Sequence, residues 1–453
     1  GGLAADERAL LSFRADRAVD LVAASFAQGS RLMTNRKCKL PKGSWRAQKK
    51  GYEEVHVPAY KAPPRAAGEK ANVDVVATLP AWAHDSFKGI KTLNRVQSQV
   101  YTQAFEGIDN MLLCAPTGAG KTNVAMLAVL NVIGQHLRPL TSEEIAAADE
   151  ARAAGRGAVQ THAVDADFKI VYVAPMKALV AEMVRTMGRR LAHLGVVTKE
   201  LSGDVSLTRA EIAETHIIVT TPEKWDIITR KAGDRAYTQL VRLLIIDEIH
   251  LLHDLRGTVL ESIVSRTIRQ IETTKEMVRI IGLSATLPNY EDVATFLRID
   301  PAKGLFFFDN AYRPVPLEQQ YIGITEKKPL KRHKLMNEIC YEKVKEQVAP
   351  EDGGPREQVL VFVHSRKETA KTARALIERA MDLDEPEVFL RDDAATREML
   401  LTEAETADSA DLQELLPMGF GIHHAGLSRD DRNLVEDLFA NGRISVLFST
   451  STL

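Results

Sequence analysis

One stretch of the sequence has the composition of a phosphate-binding loop. Ala115-Pro-Thr-Gly-Ala-Gly-Lys-Thr122 follows an apolar run at residues 111–114 and precedes a helical pattern at residues 123–133. Glycines let such a loop turn its backbone N–H groups toward a β-phosphate at a helix N-terminus. The Lys121 ammonium would contact the β- and γ-phosphates, and the Thr122 hydroxyl would bind Mg²⁺. The predicted nucleotide-binding residues are Thr117, Gly118, Ala119, Gly120, Lys121 and Thr122, although Ala115 stands where the common pattern has glycine.

Two acidic residues follow a second apolar run. Asp247-Glu-Ile-His250 comes directly after the predicted strand at residues 243–246. The carboxyl edge of a parallel sheet is where open α/β folds bind ligands. There Asp247 would hold hydrated Mg²⁺, and Glu248 would orient and deprotonate the attacking water. A solvated turn is the alternative, but the loop about 125 residues upstream favours nucleotide hydrolysis. The predicted catalytic residues are Lys121, Asp247, Glu248 and His250.

Two further motifs are informative because of their positions relative to the phosphate-binding loop and the acidic pair. Ser284-Ala-Thr286 follows another predicted strand, so its hydroxyls would reach the same sheet edge, although alone such residues more often cap a helix. Gln97 lies before the loop, and its amide could pair with an adenine edge while Phe87 stacks on the base. By itself, Gln97 is better explained as an exposed helical residue.

Short apolar runs alternate with helical stretches from Phe87 onward. This pattern predicts strands buried on both faces of a parallel sheet, and therefore an α/β doubly wound domain. The runs are residues 111–114, 169–174, 217–220, 243–247 and 279–283. A hinge is expected at Tyr312-Arg-Pro-Val-Pro-Leu317, and a second series follows it with strands at residues 358–364 and 444–449 and a helix at residues 367–379.

The composition excludes several classes of protein. The chain has 453 residues, 45% of them hydrophobic, and Lys+Arg 59 against Asp+Glu 61 gives a formal charge of −2. That charge excludes a histone-like polycation but not nucleic-acid binding in a shaped groove. The sequence shows no transmembrane run and no signal-peptide pattern. Cys38, Cys114 and Cys340 predict neither a disulfide framework nor a cysteine zinc site. We expect a soluble protein of a reducing compartment.

The charge is concentrated in two places. Residues 31–50 carry eight basic residues and no acid, whereas residues 381–420 carry twelve acidic residues against two arginines. We expect the basic stretch to belong to an arm over residues 1–85 that contacts RNA or protein, with a solvated tail as the alternative. Prolines predict an extended linker over residues 58–80. The Ala-rich stretch at residues 137–167 predicts a mobile surface insertion.

Taken in order, the motifs resemble those of superfamily 2 helicases of the Ski-like DExH group. The set adds Ala174-Pro-Met-Lys-Ala178, Thr220-Thr-Pro-Glu223, Val363-His-Ser-Arg366, His423-His-Ala-Gly426 and Ser449-Thr450 to the residues above. The resemblance implies two RecA-like lobes, at residues 86–313 and 314–453, that clamp ATP and bind single-stranded RNA. Ser284 and Thr286 would couple the gap between the lobes to phosphate loss. The RNA-binding residues implied are Pro175, Lys177, Gly203, Asp204, Thr221, His364, Ser365, His424, Gly426 and Thr450.

Stretches outside these motifs resemble the N-terminal cassette of spliceosomal helicases. Examples are Lys50-Gly-Tyr-Glu-Glu-Val-His-Val-Pro58 and His364-Ser-Arg-Lys-Glu-Thr369. This implies an ATP- and Mg²⁺-dependent motor that moves 3′ to 5′ and unwinds the U4/U6 small nuclear RNA duplex, in the nucleus, with other spliceosomal proteins. The alternatives are the tandem-cassette helicase of the activating signal cointegrator complex, a DNA repair helicase, and a nucleotide-gated scaffold without turnover.

Two departures from the family pattern affect the expected activity. Ser451 stands where the family usually has Ala, and the sequence stops at Leu453, before the arginine-bearing motif that would follow. An arginine finger typically contributes roughly 10³ to 10⁵ in rate. We therefore expect a truncated second lobe and no RNA unwinding by these residues alone.

Overall fold

The computed structural model describes residues 40–60, 64–65, 69, 71–146, 162–165, 167–203, 207–230, 238–351, 353–391 and 393–450. Two compact units are present. The first comprises the described residues of Gly1–Gly43 and Val57–Gln319, and the second those of Ser44–His56 and Gln320–Leu453. No helix within the described ranges is long and apolar enough to cross a membrane.

The strands and α-helices alternate along most of the chain. The strands are β1 Trp45–Lys49, β2 Tyr52–Val57, β3 Met111–Cys114, β4 Leu137–Arg138, β5 Ala163–Val164, β6 Lys169–Val173, β7 Thr198–Leu201, β8 Ile217–Thr220, β9 Val241–Ile246, β10 Arg279–Ser284, β11 Leu305–Phe307, β12 Gln319–Ile324, β13 Val359–Phe362, β14 Phe420–His423 and β15 Val446–Ser449. The helices are α1 Val75–Thr78, α2 Arg95–Tyr101, α3 Lys121–Gln135, α4 Lys177–Leu191, α5 Arg209–Glu214, α6 Pro222–Arg230, α7 Gly257–Thr274, α8 Tyr290–Phe296, α9 Pro329–Val348, α10 Arg366–Asp382, α11 Ala394–Thr406, α12 Ala410–Leu415 and α13 Arg429–Ala440.

A parallel sheet forms the centre of the first unit. In the described part of the chain its strand order is β11-β3-β10-β9-β6-β8-β7, and every neighbouring pair is parallel. Alternate side chains of β3 enter different cores: Met111 and Leu113 pack with α3 on one face, and Leu112 and Cys114 pack with α7 on the other. The sheet is therefore buried on both faces, which confirms the α/β fold predicted from the apolar runs.

The second unit has its own core. Its parallel strands lie in the order β13-β15-β14 and pack against helices that include α10 and α13. The hairpin of β1 and β2 joins β12 in a separate sheet.

The hairpin lies within residues 1–85, for which the sequence predicted an arm. Glu54 of β2 is buried there and accepts a hydrogen bond from His56, with Lys49 and Lys343 within 4.0 Å. Because β2 is short and contains Glu53 and Glu54, its sequence lacks the alternation of apolar and polar residues that would have predicted a strand. The linker predicted over residues 58–80 likewise contains α1, whose Val75 is buried. Residues 1–39, and residues 147–161 of the predicted insertion, lie outside the described residues.

Arg279, the first residue of β10, connects the sheet to the preceding segment. Its guanidinium is buried and donates to the backbone oxygens of Asp109 at 2.9 Å, Ala104 at 3.1 Å and Gln103 at 2.6 Å. Burial lowers the pKa of Arg279 to about 10, which leaves it charged at neutral pH.

Replacing this guanidinium is expected to destabilise the first unit. Arg279→Met removes the donor from three carbonyls, of which that of Ala104 belongs to a buried residue, and each unsatisfied group costs about 1–3 kcal/mol. We expect the free energy of unfolding, measured by urea denaturation, to fall by about 3 kcal/mol. The control Arg242→Ala removes a more exposed arginine that bonds to Gln239 and Glu276, and should cost less than about 1 kcal/mol. Equal losses in the two variants would contradict this role.

Candidate active site

The phosphate-binding loop connects β3 to α3 and has the backbone that the sequence predicted. Gly118 and Gly120 have φ of 82° and 83°, the left-handed region that favours glycine. At Gly120 a Cβ would also lie 2.0 Å from Gln97 Nε2. The Lys121 ammonium donates to the Ala115 carbonyl at 3.1 Å, at the start of the loop. Because α3 begins at Lys121, the loop presents a helix N-terminus to a bound phosphate.

Parallel register brings the other motifs to the same edge. Ser284 is in register with Cys114, the last residue before the loop, and Gly282 pairs with Ile246, the last residue before Asp247. The Asp247 N–H donates to the Val173 carbonyl of β6 at 2.9 Å. Lys121, Asp247, Glu248 and Ser284 therefore lie at the carboxyl ends of adjacent strands, as predicted.

The Asp247 carboxylate is held by two hydrogen bonds. The Tyr172 hydroxyl donates to Oδ2 at 2.6 Å, and the Glu248 N–H donates to Oδ1 at 2.9 Å. Burial raises the pKa of Asp247, while Tyr172, the Glu248 N–H and the Lys121 charge oppose that rise. Sequence reasoning missed Tyr172, because it lies inside an apolar run. A hydroxyl in an otherwise aliphatic strand was the available signal.

Glu248 occupies an unusual backbone conformation. Its φ of 51° and ψ of 43° are left-handed, which is unfavourable for a residue with a Cβ. Such conformations occur preferentially at functional sites. Burial, followed by the charge of Asp247, raises the pKa of Glu248. The carboxylate is therefore more basic than that of an exposed glutamate, which suits the predicted role of a general base.

His250 connects two of the predicted motifs. Its Nδ1 accepts a long hydrogen bond from the Ala285 N–H at 3.4 Å and lies 3.2 Å from Glu248 Oε2. Burial, with His253 and Lys121 nearby, lowers the pKa of His250 to about 4. The imidazole is thus neutral at pH 7, so its contact with Glu248 is not an ion pair. Thr286 is half-buried at the same motif, whereas Ser284 is fully buried.

The oxygen atoms present suit Mg²⁺. Within the described residues, no group of three or more His, Cys, Asp or Glu side chains could enclose a metal ion. Mg²⁺ bound with a nucleotide needs only one or two protein oxygens, since phosphates and waters supply the others. Each Asp247 oxygen accepts one protein hydrogen bond and keeps a further lone pair. The Thr122 hydroxyl is the second candidate ligand.

The predicted base contacts require a correction. Phe87 is only 2% exposed, and the Arg190 guanidinium lies over its ring at 4.9 Å from the centroid. Phe87 is therefore not available for stacking in this arrangement, because Arg190 covers it. Gln97 is also buried, not an exposed helical residue: its amide donates to the Gly120 carbonyl at 3.2 Å and accepts from the Asn94 N–H at 3.0 Å.

Asn94 is a second residue that sequence reasoning missed. Its side chain accepts from the Gln97 N–H at 2.9 Å and donates to the Ala119 carbonyl at 2.9 Å. Asn94 and Gln97 form a capping box at the start of α2. The two side-chain amides both donate to carbonyls of the phosphate-binding loop and so hold its backbone in place. This structural role does not require a bound nucleotide base.

The residues predicted to grip RNA from the first unit follow β6, β7 and β8. The Ala174 N–H donates to the Thr220 carbonyl at 2.9 Å, which places Pro175 beside Thr221. Lys177 begins α4, and its ammonium would lie 3.6 Å from a Cβ at Gly203. Thr221 is buried, whereas Lys177 and Gly203 are exposed. Asp204 lies outside the described residues.

The predicted residues of the second unit also share one edge. Ser365 accepts from the Glu368 N–H at the start of α10, after β13. The Gly426 N–H donates to His424 Nδ1 at 3.1 Å, and burial lowers the pKa of His424. The Thr450 N–H donates to the His423 carbonyl at 3.2 Å. His364, Ser365, His424, Gly426 and Thr450 thus follow the carboxyl ends of three parallel strands.

Comparison with known proteins gives a consistent result. A family model described as DEAD/DEAH box helicase matches residues 94–293. The chain is 57% identical over 435 residues to the U5 small nuclear ribonucleoprotein 200 kDa helicase of Homo sapiens, and 53% identical to Pre-mRNA-splicing factor brr2 of Schizosaccharomyces pombe. Each alignment covers 96% of this chain but 19% of the relative, so the chain spans about a fifth of the length of these relatives.

A solved structure supports the fold. The DUF1998 helicase MrfA bound to DNA and AMPPNP has a TM-score of 0.56 and 17% identity to this chain, covering 88% of this chain and 46% of that one. At this level of identity the similarity concerns the fold alone.

The raised pKa of Glu248 predicts an acid-sensitive site. As the pH falls, this carboxylate takes up a proton at a pH above its ordinary pKa of 4.5 and stops accepting one from water. We expect kcat/KM for nucleoside triphosphate hydrolysis to fall along an acidic limb centred above pH 4.5. The limb belongs to the coupled Asp247 and Glu248 pair.

The measurement is a pH–rate profile from about pH 4 to about pH 8, with circular dichroism to confirm that the protein stays folded. A limb centred at or below pH 4.5 in the folded protein would show that burial does not control this carboxylate.

Proposed function

We propose that the chain is the ATP-driven motor of a DEAD/DEAH box RNA helicase that acts in pre-mRNA splicing. The observation that carries this proposal is the shared sheet edge of the first unit. That edge holds the phosphate-binding loop, the Asp247 and Glu248 carboxylates, and the Pro175 and Thr221 segments. A nucleotide and an RNA backbone can therefore both be bound by the ends of one set of strands.

Hydrolysis of ATP to ADP and phosphate follows from the arrangement of these side chains. Backbone N–H groups of the loop and the Lys121 ammonium bind the phosphates, and Thr122 and Asp247 are the residues that would hold Mg²⁺. When bound, Mg²⁺ supplies charge neutralisation at the phosphates. Glu248 orients a water and accepts its proton as the water attacks the γ-phosphorus and the bond to the leaving oxygen breaks. Ser284 and Thr286 couple this event to movement.

The proposed RNA contacts are independent of base identity. Loop N–H groups and hydroxyls after β6, β7 and β8 bind phosphates from the first unit, and the residues after β13, β14 and β15 bind them from the second. Such contacts position a strand without specifying its sequence. A near-neutral chain can therefore bind RNA through oriented donors, without the bulk positive charge of a histone.

In finer detail, we propose 3′-to-5′ translocation and unwinding of the U4/U6 small nuclear RNA duplex, in the nucleus, with other spliceosomal proteins. The identity to U5 ribonucleoprotein helicases over 96% of the chain supports this choice. We also propose RecA-like lobes at residues 86–313 and 314–453, with the β1–β2 hairpin assigned to the second unit. The activating signal cointegrator helicase remains the alternative.

Unwinding by the full-length protein tests the proposal. With ATP and Mg²⁺, it should displace one strand of an RNA duplex that carries a 3′ overhang. Lys121→Ala and Glu248→Gln should each reduce the rate at least about 10²-fold, because each removes a catalytic group. Gly188→Ala is the control, since a Cβ there meets nothing within 4 Å. Unwinding that survives both catalytic substitutions would refute the proposed site.

Comparing RNA and DNA separates the alternatives. At matched salt, single-stranded RNA should stimulate ATP hydrolysis more than DNA of the same length, since salt alone changes such affinities greatly. Stronger stimulation by DNA would favour a repair helicase. Phosphate release that neither nucleic acid stimulates would favour a nucleotide-gated scaffold.

A further inference from the structure

Arg256 belongs to the segment that follows the Asp247 and Glu248 carboxylates and contacts two segments of the proposed RNA site. It immediately precedes α7, at the end of the segment that begins with Asp247. Its Nη1 donates to the Pro175 carbonyl at 2.5 Å, and its Nε lies 3.2 Å from Glu223 Oε1. Pro175 follows β6, and Glu223 is the second residue of α6. One guanidinium therefore bridges the segment after β9 to the segments after β6 and β8.

The backbone between Glu248 and Arg256 is constrained by hydrogen bonds. Successive turns are closed by backbone hydrogen bonds from Leu251 to Glu248 at 2.9 Å, from Asp254 to Leu251 at 3.0 Å and from Gly257 to Asp254 at 2.9 Å. A Cβ at Gly257 would lie 2.0 Å from the Leu252 carbonyl oxygen, so the last turn is also tightly packed. A displacement of Glu248 is therefore transmitted to Arg256 instead of being absorbed in between.

The two contacts of Arg256 require an arginine. The planar guanidinium has five donors in a fixed geometry, so one group can bond a carbonyl and a carboxylate in different directions at once. A lysine ammonium is a compact point charge and would keep the attraction to Glu223 without holding both partners in fixed positions. The bridge thus sets the separation between the Pro175 segment and the start of α6.

We propose that Arg256 is a positioning residue that transmits RNA binding at the Pro175 and Thr221 segments to the Asp247 and Glu248 carboxylates. This inference rests on the proposed function. RNA bound to the Pro175 and Thr221 segments would hold these segments, and therefore Arg256, in fixed positions. The turns between Glu248 and Arg256 would then hold Glu248 in its left-handed conformation. Such coupling between two sites typically changes affinity about 5- to 150-fold.

The competing explanation is an ordinary surface ion pair. The Arg256 and Glu223 side chains are 47% and 44% exposed, and exposed pairs contribute only about 0–1 kcal/mol to stability. The two explanations differ in what they predict for RNA. An ordinary pair leaves the RNA response of the ATPase unchanged, whereas a positioning residue changes it and spares hydrolysis without RNA.

The test compares Arg256→Ala, Arg256→Lys and Glu223→Gln with Arg242→Ala in the full-length protein. Arg242 is a matched control because it also donates to a carbonyl, of Gln239, and pairs with a glutamate, Glu276, but at the opposite end of β9. ATP hydrolysis is measured without RNA and over a titration of single-stranded RNA. Thermal unfolding of each variant is followed in parallel.

For Arg256→Ala we expect hydrolysis without RNA to stay within about twofold, and the RNA concentration for half-maximal stimulation to rise about 5- to 10-fold. Arg256→Lys and Glu223→Gln should lie between this variant and the control, which should match the unaltered protein. An unchanged RNA response in Arg256→Ala overturns the inference, as does an equal loss with and without RNA. If the unaltered protein shows no RNA stimulation, the proposed function itself fails.

Discussion

Parallel pairing of β3, β10, β9, β6 and β8 is the constraint on which the site depends. Because neighbouring strands run in the same direction and in register, their carboxyl ends meet at one edge and their loops carry the reactive side chains there. Residues far apart in the sequence, such as Lys121 and Asp247, are brought to one edge although α3 and α7 pack in different cores. A shift of one residue in β9 would exchange its buried faces and move Asp247 away from the Tyr172 hydroxyl.

At this edge, burial raises the pKa values of the two carboxylates, whereas a nearby positive charge and hydrogen bonds lower them. Asp247 and Glu248 are adjacent and half-buried, and burial raises the pKa of both. The Lys121 charge lowers both, and two hydrogen bonds lower that of Asp247 further. The two neighbouring carboxylates therefore differ. Asp247 accepts a hydrogen bond on each oxygen, whereas Glu248 is more basic than an exposed glutamate. That division matches a metal ligand beside a proton acceptor.

Much of this arrangement could be predicted from the sequence, because its signals are local. Buried parallel strands are apolar throughout, and the phosphate-binding loop is a contiguous set of glycines, lysine and threonine between a strand and a helix. The contacts that were missed join distant residues: Tyr172 lies 75 positions from Asp247, and Asn94 lies 25 from Ala119. Phe87 was misjudged for the same reason, since only the fold places Arg190 over its ring. The β1–β2 hairpin was missed because its partner, β12, is more than 260 positions away.

The left-handed backbone at Glu248 has a consequence for how the protein tolerates mutation. Glycine is the residue whose backbone is most at ease in this conformation, so the fold and the chemistry favour different residues at one position. Glycine in place of Glu248 would relieve the local backbone strain and leave the fold intact. A loss of activity at this position would thus leave a folded protein, so a measurement of stability alone would not detect it.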